Sequence, residues 1–183
     1  MTTQSTTTDD TTTDDTTTLI TGGNKGLGYE TARRLKEQGH QVVIGARDAD
    51  RGRQAAEELG VGWVELDVTS DASVAAAASE LEERFSRLDV LINNAGITGP
   101  AVAIDEVDGP VLAAVLDTNT VAVARTTHAF LPLLRRSASP VIVNVSSGLG
   151  SFDVRADESR IEHSVPSLAY SASKAAMNML TSV

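Results

Sequence analysis

Cysteine is absent from the 183 residues, so no disulfide staples the chain and no thiolate binds a metal. Histidine occurs three times, at His40, His128 and His163, without the spacing of a metal-ligand set. No uninterrupted apolar run approaches the roughly 18 residues that a membrane helix requires. The N-terminus has neither the basic start nor the apolar stretch of a secretory signal, which leaves the cytoplasm as the expected compartment. Positive charge is also scarce: 15 Lys and Arg stand against 25 Asp and Glu, for a net charge of −10. Four of those charges belong to Asp9, Asp10, Asp14 and Asp15, and the acidity of the remainder argues against nucleic acid or an anionic membrane as partner.

What is present suits one soluble domain, with 41% hydrophobic and 22% charged residues. Residues 1–16 are almost entirely Thr, Asp, Ser and Gln. They offer no apolar surface to offset ordering entropy, so a disordered tail is expected there. From Thr17 the chain alternates short apolar strands with longer helical patterns. Strands are expected at 17–21, 41–46, 62–66, 90–93 and 141–146, and helices at about 26–38, 48–59 and 71–86. A long helical region over 108–136 should bend near Thr118-Asn119-Thr120, because asparagine competes with the helix backbone for hydrogen bonds. A last helix starts near Ser167. Such alternation implies right-handed crossovers and a doubly wound parallel α/β sheet with helices on both faces. The third strand is the most mixed in composition, which suits an edge, and Trp63 there reads as packing.

Thr21-Gly22-Gly23-Asn24-Lys25-Gly26-Leu27-Gly28 joins the first strand to its helix. Gly22 permits a tight turn, Gly26 lets backbone approach a diphosphate, and Gly28 lets helix and strand pack closely. A diphosphate would sit on the unpaired N–H groups at the helix start. The end of the second strand separates two nucleotides. A carboxylate there would hold the ribose hydroxyl of NAD, whereas this strand runs into Arg47. Lys25 can reach the same 2′-phosphate, so the pair favours NADP(H). The competing carboxylate, Asp48, is better placed to cap the next helix.

Tyr170 and Lys174 lie four apart and share one helical face. The lysine charge favours the anionic form of a phenol whose ordinary pKa is near ~10. Such a phenol can donate and accept protons near neutral pH. Behind a nucleotide-binding turn, the pair points to oxidoreduction at a carbonyl or alcohol.

Taken together, Thr21–Gly28, Asp67-Val68, Asn93-Asn94-Ala95-Gly96, Asn119, Ser147, and Tyr170 with Lys174 resemble the short-chain dehydrogenase/reductase family, in its NADP-preferring carbonyl-reductase-like branch. The resemblance covers residue 17 to the end and implies a Rossmann-like fold. It implies that Asp67 accepts from the adenine amino group, that Val68 offers backbone to the ring, and that Asn93, Ala95 and Gly96 line the adenosine ribose and stiffen the fourth strand. It further implies a catalytic set of Asn119, Ser147, Tyr170 and Lys174. Ser146 and Ser147 should point to opposite faces, and the family pattern selects the second. Tyr170 would exchange the proton at the carbonyl oxygen and Ser147 would polarise that oxygen. Lys174 would hold the nicotinamide ribose, and Asn119 would hold a water in the proton path. Relatives form dimers or tetramers through the 119–136 helix and the tyrosine helix. The competing function is a non-catalytic NADP(H)-binding or regulatory module.

Two departures from the family pattern are expected to matter. The stretch between Ser147 and Tyr170 is long and charged over about 151–166, which reads either as a partial lid or as a solvated loop. The family pattern also carries two further strands past position 183. The expected sheet is therefore incomplete, with strand five an open edge and turnover by these residues weak or absent.

Overall fold

The computed structural model describes residues 16–100 and 104–182. The expected disordered tail falls outside the described residues, Thr16 excepted. Five strands, β1 (Thr17–Thr21), β2 (Gln41–Ala46), β3 (Gly62–Glu65), β4 (Val90–Asn93) and β5 (Val141–Asn144), form one parallel sheet. Their order is β3-β2-β1-β4-β5. Eight α-helices are described: α1 (Gly26–Glu37), α2 (Ala49–Leu59), α3 (Asp71–Arg84), α4 (Gly109–Leu116), α5 (Ala122–Leu134), α6 (Phe152–Ala156), α7 (Ile161–Ser164) and α8 (Leu168–Thr181).

Strand alternation builds a core on each side of the sheet. Leu19, Val43 and Leu91 face one way and pack with Leu81 of α3 and Phe130 of α5. Their neighbours Ile20, Ile44 and Ile92 face the other way and pack with Ala32 of α1 and Ala55 of α2. The register sets Leu19 beside both Val43 and Leu91, so each layer is continuous across three strands. Fully burying a side chain such as Phe130 stabilises the fold by about 1.5–3 kcal/mol.

The two edges differ. β3 carries Trp63, which packs against the α1/α2-side core beneath the Arg53 guanidinium, 5.4 Å from the ring centroid. Arg84 donates to the Trp63 carbonyl at 2.9 Å and so occupies part of that edge. β5 is hydrogen-bonded to β4 on one side, and Val141, Ile142 and Val143 are 46, 40 and 41% exposed. The expected edge placement of strand three and the open apolar character of strand five are both observed.

Asp108 caps α4 by accepting from Val111 N at 2.9 Å. At the position where a bend was expected, a π-helical segment, Asp117–Val121, joins α4 to α5 without a break. Wider turns of this kind let a side chain enter the backbone ladder. The charged stretch before α8 is folded rather than open. Ser151 accepts from Val154 N to start α6. Arg155 donates to the carbonyls of Glu162 at 2.5 Å and Val165 at 2.8 Å, tying α6 to α7.

Candidate functional site

After β3 the chain returns to the other side of β1, so the strand order reverses between β1 and β4. In a parallel sheet this reversal opens a crevice above the carboxyl ends of the two strands. The sequence-selected residues from Thr21, Asn93 and the following turns gather at those ends.

The glycine turn has the expected anatomy. Gly22 and Gly26 take φ of 64° and 59°, the left-handed region open to glycine. A Cβ at Gly28 would lie 2.4 Å from Asn94 Nδ2 and 2.7 Å from the Gly22 carbonyl, so the helix start packs directly on the turns that follow β1 and β4. A Cβ at Gly26 would meet nothing within 4 Å, so the turn opens outward. Lys25 stands at the helix N-cap with no side-chain hydrogen bond to the first turn, and Lys25, Gly26 and Leu27 are exposed. Asn24 is half-buried beside them. An uncapped helix start facing open space fits a diphosphate.

The turn is fixed from behind by Thr21 and Asn94. Thr21 Oγ1 accepts from Asn94 N and Ala95 N, both at 3.0 Å. Asn94 Nδ2 donates to Thr21 O at 2.8 Å and Gly22 O at 3.2 Å. Asn93 instead points its amide into the protein, donating to Asn144 Oδ1 at 2.9 Å and accepting from Thr126 Oγ1 at 2.7 Å. Of the two roles expected of Asn93, its side chain is engaged in stiffening the strand. The asparagine that touches the turn is Asn94.

At the other end of the crevice wall, Arg47 is exposed just after β2, and Asp48 caps α2 by accepting from Arg51 N at 3.0 Å. Asp67 follows β3. Burial alone would raise its carboxyl, but the Thr69 hydroxyl and N–H, with Arg47 and Arg125 nearby, hold it below its ordinary value. Val68 is buried, and its carbonyl accepts from Arg125 Nη1 at 2.7 Å.

The reaction end is built on the π-helical segment and α8. Asn119 is fully buried. Its Oδ1 accepts from Ile97 N at 2.8 Å, while Nδ2 donates to Ile97 O at 2.8 Å and to Ser173 Oγ at 2.9 Å. Thr120 Oγ1 adds a bond to Ser173 O at 2.9 Å. Lys174 is 5% exposed, and its Nζ donates to Val145 O at 2.6 Å and lies 5.6 Å from the Tyr170 ring centroid. Burial lowers the Lys174 ammonium pKa from its ordinary value. A Cβ at Gly96 would lie 3.2 Å from Asn119 Oδ1 and 3.8 Å from Lys174 Nζ, so only a bare backbone passes between them comfortably. Tyr170 is half-buried on the face it shares with Lys174.

The two serines lie just past the end of β5 and take different partners. Ser146 Oγ donates to Asn178 Oδ1 at 2.5 Å, which consumes its proton. Ser147 Oγ accepts from Leu149 N at 3.2 Å, which leaves its proton for another acceptor. Asn94 stands inside the Asn93–Gly96 motif and Thr120 inside the expected bend, but the bonds each makes were not legible in the sequence. Ser173, directly before Lys174, and Arg125 carry no sequence signal for the contacts they make.

The short chain dehydrogenase family model matches residues 16–183. A short-chain dehydrogenase/reductase of Aspergillus fumigatus is 37% identical over 175 residues, covering 89% of this chain and 65% of that protein. The (+)-neomenthol dehydrogenase of Capsicum annuum is 33% identical, over 79% of this chain and 60% of its own length. An NADPH-bound carbonyl reductase from chicken fatty liver superposes with a TM-score of 0.80 at 32% identity, covering 91% of this chain and 71% of that one. The RhlG/NADP active-site complex of Pseudomonas aeruginosa superposes equally well, at 33% identity over 90% and 64% of the two chains. The chain spans about half to two thirds of the length of the curated relatives it matches.

Proposed function

The chain belongs to the short-chain dehydrogenase/reductase family, and we propose that it is an NADP(H)-dependent oxidoreductase acting on a carbonyl or alcohol. The observation that carries this is the convergence of Lys174, Tyr170 and Asn119 beside a glycine turn whose helix starts uncapped. When bound, the nicotinamide nucleotide supplies or accepts the hydride, and the residues of the chain position the substrate and move its proton.

Tyr170 donates its hydroxyl proton to the carbonyl oxygen in reduction and takes it back in oxidation. Ser147 keeps a donor proton and polarises the same oxygen. Lys174, held against the Val145 carbonyl, supplies positive charge beside the phenol and hydrogen-bonds a ribose. Asn119 fixes the backbone at Ile97 and holds α8 in register, which orients the proton path. Thr21, Gly22, Asn24, Lys25, Gly26, Leu27 and Gly28 cradle the diphosphate. Asp67 and Val68 receive the adenine, with Ala95 and Gly96 beside the ribose.

The phosphorylated form of the nucleotide is favoured by Arg47 and Lys25, both exposed toward solvent, and by the use of Asp48 as a helix cap. Two of the structural relatives are described with NADPH or NADP. The test is NADPH oxidation with a panel of aldehydes and ketones, run beside nucleotide-binding titrations on wild type and Tyr170→Phe. Turnover that Tyr170→Phe abolishes, with binding kept within about twofold, supports the assignment. Saturable NADPH binding without turnover, persisting when the two further strands of the family pattern are supplied, favours a non-catalytic nucleotide module. Absence of binding rejects both.

A further inference from the structure

Arg125 projects from α5 and is largely buried, with 16% of its side chain exposed. Its guanidinium reaches three partners on two segments. Nη1 donates to the Val68 carbonyl at 2.7 Å, Nε to Asp71 Oδ1 at 2.5 Å, and Nη2 to Asp117 Oδ1 at 3.2 Å. Val68 and Asp71 bracket the turn that follows Asp67, and Asp117 opens the π-helical segment that carries Asn119. A planar fork of donors suits such a junction, because one group can satisfy a carbonyl and two carboxylates at once.

We propose that Arg125 is a positioning residue for the nucleotide. It holds the Asp67-Val68-Thr69 turn against the bent helix, so that the adenine half of the cofactor meets a preformed wall. The proposal rests on the NADP(H) assignment above. Three features single out this arginine. The Val68 carbonyl is occupied by Arg125, so the backbone group that Val68 has left to offer a base is its N–H. Asp67 is held in place from its own side by Thr69, through its N–H at 3.0 Å and hydroxyl at 2.7 Å, while Ser73 Oγ accepts from Asp67 N at 2.9 Å. The turn is therefore internally rigid, and Arg125 is its tie to the helix that carries the reaction end. The same guanidinium lies near enough to Asp67 to favour its anion, the form that accepts from an amino group.

The experiment compares wild type, Arg125→Met, Arg125→Lys and Asp71→Asn. The Kd of each is measured by calorimetry for NADPH and for adenosine 2′,5′-bisphosphate, which carries the adenine end alone; nicotinamide mononucleotide probes the other end. Arg125→Met is expected to weaken NADPH and the bisphosphate about tenfold or more, with nicotinamide mononucleotide changed less than about twofold. Arg125→Lys should recover part of the loss, since an ammonium reaches one partner and not three. Asp71 is an exposed carboxylate, so Asp71→Asn keeps the fold even if Arg125→Met does not, and it should weaken the bisphosphate about threefold. Bisphosphate affinity within about twofold of wild type in the folded variants overturns the proposal. Equal weakening of both half-ligands also overturns it, since that is the mark of general loosening. Wild type that binds neither NADPH nor the bisphosphate overturns the nucleotide assignment itself.

Discussion

Asn119 Nδ2 donates to Ser173 Oγ at 2.9 Å across 54 positions of sequence, and Ser173 immediately precedes Lys174. Ser173 passes the link on by donating to the Tyr170 carbonyl at 2.7 Å. This buried amide, with Thr120 Oγ1 on the Ser173 carbonyl, ties α8 to the π-helical segment and so helps place the phenol and the ammonium.

Asn119→Ala removes three hydrogen bonds from a fully buried site and leaves the Ile97 backbone pair without its partner. Leaving such groups unsatisfied costs about 2–4 kcal/mol in total. Urea unfolding should show that loss. A change below about 0.5 kcal/mol would mean the amide is not the brace described.

Gly28→Ala and Gly109→Ala separate a steric requirement from a generic glycine effect. At Gly28 the added Cβ would press on Asn94 Nδ2 and the Gly22 carbonyl, so the turn must shift. Destabilisation by about 1–3 kcal/mol and at least a tenfold loss of NADPH affinity are expected. At Gly109 nothing lies within 4 Å, so alanine should be neutral or slightly stabilising in thermal unfolding. Equal effects at the two positions would contradict the packing described.

Asp89 anchors the base of the sheet. Its Oδ2 accepts from Thr17 N at 2.9 Å, and Oδ1 accepts from Arg87 Nε at 2.8 Å and Ser137 Oγ at 2.6 Å. Burial raises its carboxyl, yet Ser137, Thr17 and Arg87 outweigh that and lower the pKa overall. A carboxyl lowered on folding stabilises the protein above its unfolded value, near ~3.9, and that contribution fades as pH falls through the folded value. Asp89→Asn should therefore cost about 1–3 kcal/mol near neutral pH, and the gap from wild type should narrow below about pH 4. A gap independent of pH would place the effect in packing rather than in ionisation.

Much of this was legible in the chain because it rests on local chemistry. Strand composition announced the parallel sheet, and the mixed third strand announced its edge. Asn119, polar inside an apolar run, announced an irregularity, which is the π-helical segment. Other features depend on which face a residue takes or on partners far away in sequence. Adjacent Asn93 and Asn94 look alike as text, yet one braces the interior and the other the turn. The folding of residues 151–166 into α6 and α7 depends on Arg155 reaching carbonyls seven and ten positions on, which no hydrophobic period reveals. Arg125 meets Val68 across 57 positions, and its role is visible only once α5 lies beside the end of β3.

The central claim is that Lys25 and Arg47 seat a phosphorylated nicotinamide nucleotide at the glycine turn. Fluorescence titration of wild type and of the Lys25→Ala/Arg47→Ala double variant with NADPH and NADH tests it most directly. Wild type should bind NADPH at least about tenfold more tightly than NADH, and the double variant should lose that preference through weaker NADPH binding alone. Equal affinity of wild type for the two nucleotides, or a preference that survives in the double variant, would contradict it.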